Sequence, residues 1–475
     1  MVYFIKKEVW NMSVYVLQNR WVIEDGALYY YGLRNELFKN KVRITKKQLG
    51  IIRTLPRELE HNELAVLGKL IGTQVVPHEE FRPTPKSLAE ARFCTECAAN
   101  DYMIPGLEFD CDGRCPMCGT AKETERLKSL VPILDEIPHS KKSRFDVALF
   151  YTGGKDSTFL LYHLAKVRGL RVLALTWEIP YTSDSARKSI ENAKRHFSSV
   201  EFISRTLAKD DLKRIYKKLY ELSENTCACP SLAYLLFYPD LVAERVPFFI
   251  AGNEPVQALG LYYNRMAPKL AYSFSENRLF GSLINIGRIL TLRPPLKKGQ
   301  FQTLTTMKQL AYGDHPLKKL FGYSNPLVSN VVTAIHEVPA LTPPLKKAIR
   351  ESSRSGNIPA FVALDFDKLG GGRYDWNKTK AILTEECGWV APDASGKALH
   401  TSCGIEKCKD HSQFVRFYHC SSKMIPFSAI EMALASRNQC RSREEILKEA
   451  ELHLGFSLDE PCECAVMLKI LEDDE

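Results

Sequence analysis

FDVALFYTGGKDSTFLLYHLAK, residues 145–166, is the stretch on which the fold turns. RFDVALFY (144–151), apolar without a break from Val147 to Tyr151, is the kind of run that makes a strand buried on both faces. Thr152-Gly153-Gly154-Lys155-Asp156-Ser157 follows, and a helical pattern over Ser157–Val167 begins at once. Two glycines let the backbone turn without a Cβ and bring N–H groups toward an anion, and a helix N-terminus adds unsatisfied donors. The hydroxyls of Ser157 and Thr158 extend the donor set, and Lys155 is expected to add a mobile point charge. The spacing is neither the GxxxxGK[ST] of the Walker loop nor the GxGxxG of dinucleotide folds. The bland alternative is a generic Gly-rich turn.

Outward from this loop the chain alternates. LRVLALTWE, SVEFISRT and VPFFIAGN read as strands, with helices expected over Ser185–His196, Lys209–Leu222 and Ser231–Ala243. Apolar strands separated by helical patterns predict βαβ units and a doubly wound parallel α/β sheet. Ligands of such sheets bind beyond the carboxyl ends of the strands. Gly252, Asn253 and Glu254 in IAGNEP are therefore candidate contacts, while Thr176 and Trp177 stand at the end of LALTWE. Trp177 reads equally well as sheet-edge packing.

Fourteen cysteines are too few for a disulfide scaffold in 475 residues, yet they cluster. Cys94-x-x-Cys97 and Cys115-x-x-Cys118, 17 residues apart, match a tetrahedral four-thiolate zinc ribbon, with an iron–sulfur centre as the alternative. Cys111 is surplus. Cys227 and Cys229 form a second group. A third spans HTSCGIEKCKDHSQFVRFYHC, with His400, Cys403, Cys408, Lys409 and Asp410. Thiolates of lowered pKa would be reactive there, whereas buried structural cysteines and a solvated KCKD turn are the bland readings.

On these residues the chain resembles the PP-loop (N-type) ATP pyrophosphatases, the adenine nucleotide alpha-hydrolase superfamily, with Thr152 in the first serine position of the SGGxDS loop. The resemblance implies that Thr152–Thr158 hold ATP pyrophosphate and that Asp156 lies near magnesium. It also implies that Thr176 and Trp177 meet adenine, and that an acceptor oxygen attacks the α-phosphorus to release pyrophosphate. The ribbon, IPGLEFDCDGRCPMC, ahead of the loop is similar to the N-acetyl sugar amidotransferase family over about residues 93–255. A late W–P…H–C…KD segment matches Trp389, Pro392, His400, Cys403, Lys409 and Asp410, implying that Lys407 or Lys409 donates to phosphate. The placement of Cys227 and Cys229 resembles PP-loop sulfur-transfer enzymes, implying a persulfide carrier or, with Cys403, a [4Fe–4S] cluster with one iron left open.

The expected organisation is a small α+β module over 1–90, a zinc ribbon over 91–122, an ATP-binding core over 140–300 and a Cys-rich region over 301–475. Within the first, VYVLQNRWV and ALYYYG are predicted strands and Lys46–Leu55 and Glu60–Leu70 predicted helices. A linker helix is expected over Glu123–Leu134. Late helical pieces are expected at Leu304–Ala311, Pro344–Ser353, Ser428–Ala435 and Arg443–Leu454. Composition is that of a globular protein, 45% hydrophobic and 25% charged, which excludes a mostly disordered chain. A net charge of +9, from 65 basic and 56 acidic residues, suits an anionic ligand without demanding nucleic acid. No apolar run approaches a bilayer span or a signal peptide, so a cytoplasmic protein with no membrane or DNA partner is expected. The leading expected activity is ATP-dependent thiolation of an RNA, peptide or small molecule, fed by a sulfur donor. Amidation of an acetylated sugar with a partner glutaminase stands second, and a non-catalytic ATP-binding interaction module third. ATP, Mg2+ and Zn2+ are the expected cofactors.

Overall fold

The computed structural model describes residues 13–36, 39–119, 132–222, 228–252, 255–264, 278–314, 326–394 and 396–464. The chain forms two compact units, one of residues 1–95, 99–119 and 417–423, the other of 96–98, 120–416 and 424–475.

The smaller unit carries two three-stranded antiparallel sheets. β1 (Val14–Leu17), β2 (Trp21–Glu24), β3 (Ala27–Tyr30), β4 (Lys41–Arg43), β5 (Arg57–Glu58) and β6 (Val75–Pro77) pair in the orders β5-β1-β6 and β2-β3-β4. VYVLQNRWV is thus two strands and not one, because Arg20 at φ +71° turns the chain between sheets. Arg20 is buried, and its guanidinium donates to the carbonyls of Tyr31, Phe417 and Tyr418, which ties residues 417–418 to this unit. Helices α1 (Lys46–Ile52) and α2 (His61–Leu67) contribute Ile52 and Leu67 to a core with Trp21, Leu28 and Val75. Thr45 and Gln48 close a reciprocal capping box on α1, satisfying two otherwise orphaned donors.

The larger unit is built on a five-stranded parallel sheet. β7 (Ile133–Leu134) precedes it; the sheet comprises β8 (Val147–Phe150), β9 (Val172–Trp177), β10 (Glu201–Arg205), β11 (Phe248–Ala251) and β12 (Ala360–Phe361) in the order β10-β9-β8-β11-β12. β13 (Ala363–Leu364) pairs with β7, so Ile133–Leu134 is strand where the tail of a helix was expected; 123–131 lie outside the described residues. Ala148, Phe150, Leu173 and Leu175 join one core, while the alternate Val147, Leu149, Val172 and Ala174 are also fully buried. Both faces are therefore covered, as a doubly wound α/β sheet requires. The strand order reverses between β8 and β11, the position where such sheets open a crevice.

Helices follow the strands as predicted: α3 (Lys155–Leu161), α4 (Asp184–His196), α5 (Lys209–Leu222) and α6 (Cys229–Ala243). α3 starts two residues earlier than expected and runs on as a wide π-turn over Tyr162–Val167. α6 is apolar all round because it is buried on two sides: Ala233, Phe237 and Leu241 face the sheet, while Leu232, Leu235 and Tyr238 enter a helical core. That core is supplied by α9 (Gln300–Tyr312), α10 (Pro326–Ile335) and α11 (Thr342–Ser355), which follow α7 (Pro255–Tyr263) and α8 (Arg278–Leu290). Farther along come α12 (Phe366–Leu369), α13 (Trp376–Cys387), α14 (Glu406–Tyr418), α15 (Phe427–Arg437) and α16 (Arg443–His453). Among the described residues, no helix is long and apolar enough to cross a membrane.

Candidate functional site

The loop after β8 sits at the reversal of strand order. Gly153 adopts φ +70°, and a Cβ there would lie 2.4 Å from the carbonyl oxygen of Ala186 on α4. Only glycine fits. Gly252, at the end of β11, presses on the loop from the far side of the crevice, where a Cβ would come within 2.8 Å of Ser157 Cβ. Ser157 Oγ donates to Gly154 O (3.2 Å) and accepts from Thr152 N (3.3 Å); Thr158 Oγ1 donates to the same carbonyl at 2.8 Å. These hydroxyls brace the turn. The amides of Gly153 and Gly154 donate to no acceptor among the described residues, leaving a small cradle of backbone donors.

A distant part of the chain walls this cradle. Trp389 is buried and donates its indole N–H to Gly153 O at 3.1 Å. Thr401 Oγ1 accepts from Lys155 N at 2.8 Å, and Ser402 Cβ and Oγ stand 3.2 Å from where a Gly154 Cβ would be. Sequence reading matched Trp389 and His400 through a resemblance but missed Thr401 and Ser402, which carry no pattern of their own.

Lys155 differs from the mobile charge expected. It is fully buried, ion-paired with Asp156, and donates to Tyr374 Oη at 3.1 Å. Its ammonium lies 4.7 Å from the ring centre of Tyr374 and 4.6 Å from that of Trp376. Tyr374 Oη also donates to Asp156 Oδ1 at 2.6 Å. A lysine taken out of water needs such a carboxylate and aromatic faces to remain charged. Tyr374 and Trp376 come from the GGGRYDW segment, which reads as a loop in sequence.

At the adjacent strand end Thr176 is buried with its hydroxyl spent on Tyr151 O (3.0 Å), while Trp177 Nε1 is buried with no partner. Of the two adenine candidates, only Trp177 keeps an unused donor. Asn253, Glu254 and Cys227 lie outside the described residues.

Cys229 is the first residue of α6, with Sγ 3.4 Å from Tyr216 Oη. Cys403 is bridged to Thr182, and the next amide, Gly404 N, donates to Tyr181 O at 2.7 Å. Cys229 also acts electrostatically on Tyr181, whose phenol is raised by burial, then by Tyr220 and Cys229. Both cysteines thus border the Tyr181–Thr182 turn. Among the described residues they join no group of three metal-ligating side chains. Cys408 is buried against Cys464, and burial pushes its thiol upward.

Lys409, expected at a phosphate, lies instead 2.6 Å from the buried Glu406, and Lys407 pairs with Glu463 at 3.3 Å. Glu406 belongs to a buried polar cluster between α14 and α15. His400 Nε2 is 2.6 Å from Glu431 and 3.8 Å from Glu406, and Asp410 accepts from Ser428. Burial acts to lower the His400 pKa, but Glu406 and Glu431 outweigh it and raise the imidazole to about 9. Burial and then Glu406 push the Asp410 carboxyl up to about 7. This cluster holds the segment that carries Thr401 and Ser402.

In the ribbon segment, the sulfurs of Cys94, Cys97, Cys115 and Cys118 all lie within 4.8 Å of one another. Thr95 N donates to Gly113 O (3.1 Å) and Cys115 N to Cys94 Sγ (3.3 Å), linking the two knuckles. An amide aimed at sulfur favours the thiolate. Four thiolates converging so closely repel unless a cation neutralises them, so the set fits a bound metal. Cys111 is exposed and apart from them.

Fold and site together define an α/β protein with a glycine-turned loop of backbone donors at the sheet's switch point and four converging cysteines able to hold a metal ion. No protein-family model matches the chain, and no curated protein does. Among solved structures it is similar to the U34-tRNA thiolase NcsA from Methanococcus maripaludis with its [4Fe-4S] cluster, at 15% identity over 56% of this chain and 86% of that one, with a TM-score of 0.22.

Proposed function

We propose that this protein is an ATP-dependent adenylating enzyme of the PP-loop type that replaces a carbonyl or amide oxygen with sulfur on an RNA, peptide or small molecule. The observation that carries this reading is the pair of amides at Gly153 and Gly154 that have no acceptor among the described residues, closed in by Gly252 and Trp389 at the switch point of the sheet. In this reading the loop amides with Thr152, Ser157 and Thr158 hold the pyrophosphate of ATP, and Trp177 offers its indole N–H to the base. Lys155 and Tyr374 occupy one oxygen of Asp156, leaving the other to face a magnesium ion. The substrate oxygen attacks the α-phosphorus, the bond to pyrophosphate breaks, and the substrate becomes an adenylate. A sulfur nucleophile then attacks the activated carbon, and AMP departs with the original oxygen. Cys229 and Cys403, beside the Tyr181–Thr182 turn, are the cysteines assigned to sulfur delivery, together with Cys227, two residues before Cys229 in sequence.

Zinc is the metal assigned to Cys94, Cys97, Cys115 and Cys118. On one tetrahedral ion with Zn–S near ~2.3 Å the sulfurs crowd together, whereas a cubane spreads them over separate irons. A closed four-thiolate ion is structural and supplies no open position for chemistry.

ATP-dependent pyrophosphate release, followed with and without a sulfide donor, tests the reading. Asp156→Asn should lower release by about a hundredfold or more. Cys227→Ala with Cys229→Ala and Cys403→Ala should preserve adenylation and abolish sulfur incorporation. A product in which nitrogen, not sulfur, has replaced oxygen would select amidation of an acetylated sugar, the second reading, which rests on the ribbon preceding the loop. No pyrophosphate release with any acceptor would leave an ATP-binding interaction module.

A further inference from the structure

We propose that α8 and the segment after it form a peripheral docking face for an anionic lipid surface. Along α8, Leu279, Leu283, Ile286 and Leu290 recur at helical spacing on one side and are exposed, at 73%, 59%, 54% and 79%. The opposite side is already occupied. Phe280 and Ile284 pack on the helical core, and Arg288 is buried, donating to Pro294 O at 2.7 Å and Ser353 O at 3.0 Å. The outer stripe is therefore surplus to folding. Leu292, 94% exposed at φ +55°, continues it past the end of the helix.

Charge chooses the occupant. From residue 278 through 313 the chain carries six Lys or Arg and no Asp or Glu. Arg293, Lys297 and Lys298, which follow the helix in sequence, are exposed and have no acidic partner among the described residues. A helix with a leucine–isoleucine face edged by cations lies in the plane of a bilayer interface, with apolar side chains among the acyl chains and cations at the headgroups. A second copy of this chain is the weaker occupant, because a two-fold contact sets the same basic edge against itself. The sequence expectation of no membrane partner rested on the absence of a spanning run, which does not bear on a helix lying at the interface.

Flotation of the full-length protein with vesicles of phosphatidylcholine, with and without phosphatidylglycerol, tests this. The protein should float with the phosphatidylglycerol vesicles, remain behind with neutral ones, and be released by high salt. Leu283→Gln, Ile286→Gln and Leu290→Gln together should reduce flotation by about tenfold. Lys297→Glu with Lys298→Glu should do the same while leaving the apolar stripe intact. Every substituted side chain is exposed, so melting temperature and circular dichroism should not change. Absence of flotation, or equal flotation by the glutamine variant, overturns the proposal. So does a concentration-dependent dimer that the glutamine variant alone dissociates, which would assign the face to a second copy.

Discussion

Two residues show how the candidate site is held. Lys155 and Asp156 are buried together, so removing one charge strands the other in a low-dielectric site. Lys155→Met is expected to cost about 3–5 kcal/mol, and adding Asp156→Asn should recover much of that loss although the pair is still absent. Urea unfolding of both variants measures this; a double variant as unstable as the single would place the cost in packing and not in the stranded charge. Gly252 acts by being small. Gly252→Ala puts a methyl 2.8 Å from Ser157 Cβ, which must displace the loop. A stability loss of about 1–3 kcal/mol is expected, with a larger proportional fall in ATP-dependent pyrophosphate release. Unchanged turnover would separate the crevice from the chemistry. Neither role was legible in the sequence as such. The TGGKDS spacing marked the loop, but a lysine beside glycines reads as a phosphate contact until the aromatic pair that encloses it is seen.

At the scale of elements, the polar cluster joining α14 and α15 should give the protein a characteristic pH response. His400 is raised from its ordinary 6.5 to about 9, so its charged form is favoured in the folded state. Its stabilising contribution is complete below the ordinary value and is lost as pH rises through about 9. Asp410 is raised from 3.8 to about 7, so folding favours its neutral form and stability falls as pH climbs between those values. The melting temperature of His400→Gln should therefore lie well below wild type at pH near 6 and approach it above about 9. Asp410→Asn should flatten the fall between about 4 and 7, since it mimics the protonated acid. Melting curves across pH decide both, and a constant offset for His400→Gln would count against the histidine's charge. The strands and first helices of the sheet were legible because a run such as VALF, buried on both faces, has no polar interruption. Helices α7, α8, α10, α13 and α14 were not anticipated. Gly281 and Gly287 interrupt α8, the apolar residues of α7 fall on no single face, and α10 opens inside GYSNPL, which reads as a loop.

The whole molecule divides into two units, and three of the four clustered cysteines, Cys94, Cys115 and Cys118, belong to the smaller. Removing the metal with a strong chelator, or substituting Cys115→Ser, should lower the first calorimetric transition and expose residues 94–118 to protease, leaving the sheet unit's transition in place. A single unshifted transition would mean the thiolates are satisfied without an ion. By itself the sequence determined the local facts: a buried strand turning on two glycines, parallel alternation around it, and two CxxC knuckles spaced for one metal. Each follows from residues close together in the chain, where periodicity and steric freedom act directly. Tertiary structure alone decided which remote groups meet. It closed Thr401, Ser402 and Trp389 over the loop, caged Lys155 with Tyr374 and Trp376, and left the α8 stripe uncovered. These meetings join residues more than two hundred positions apart in the case of the loop and its walls, and packing around the shared core, which leaves no local pattern, is what sets them.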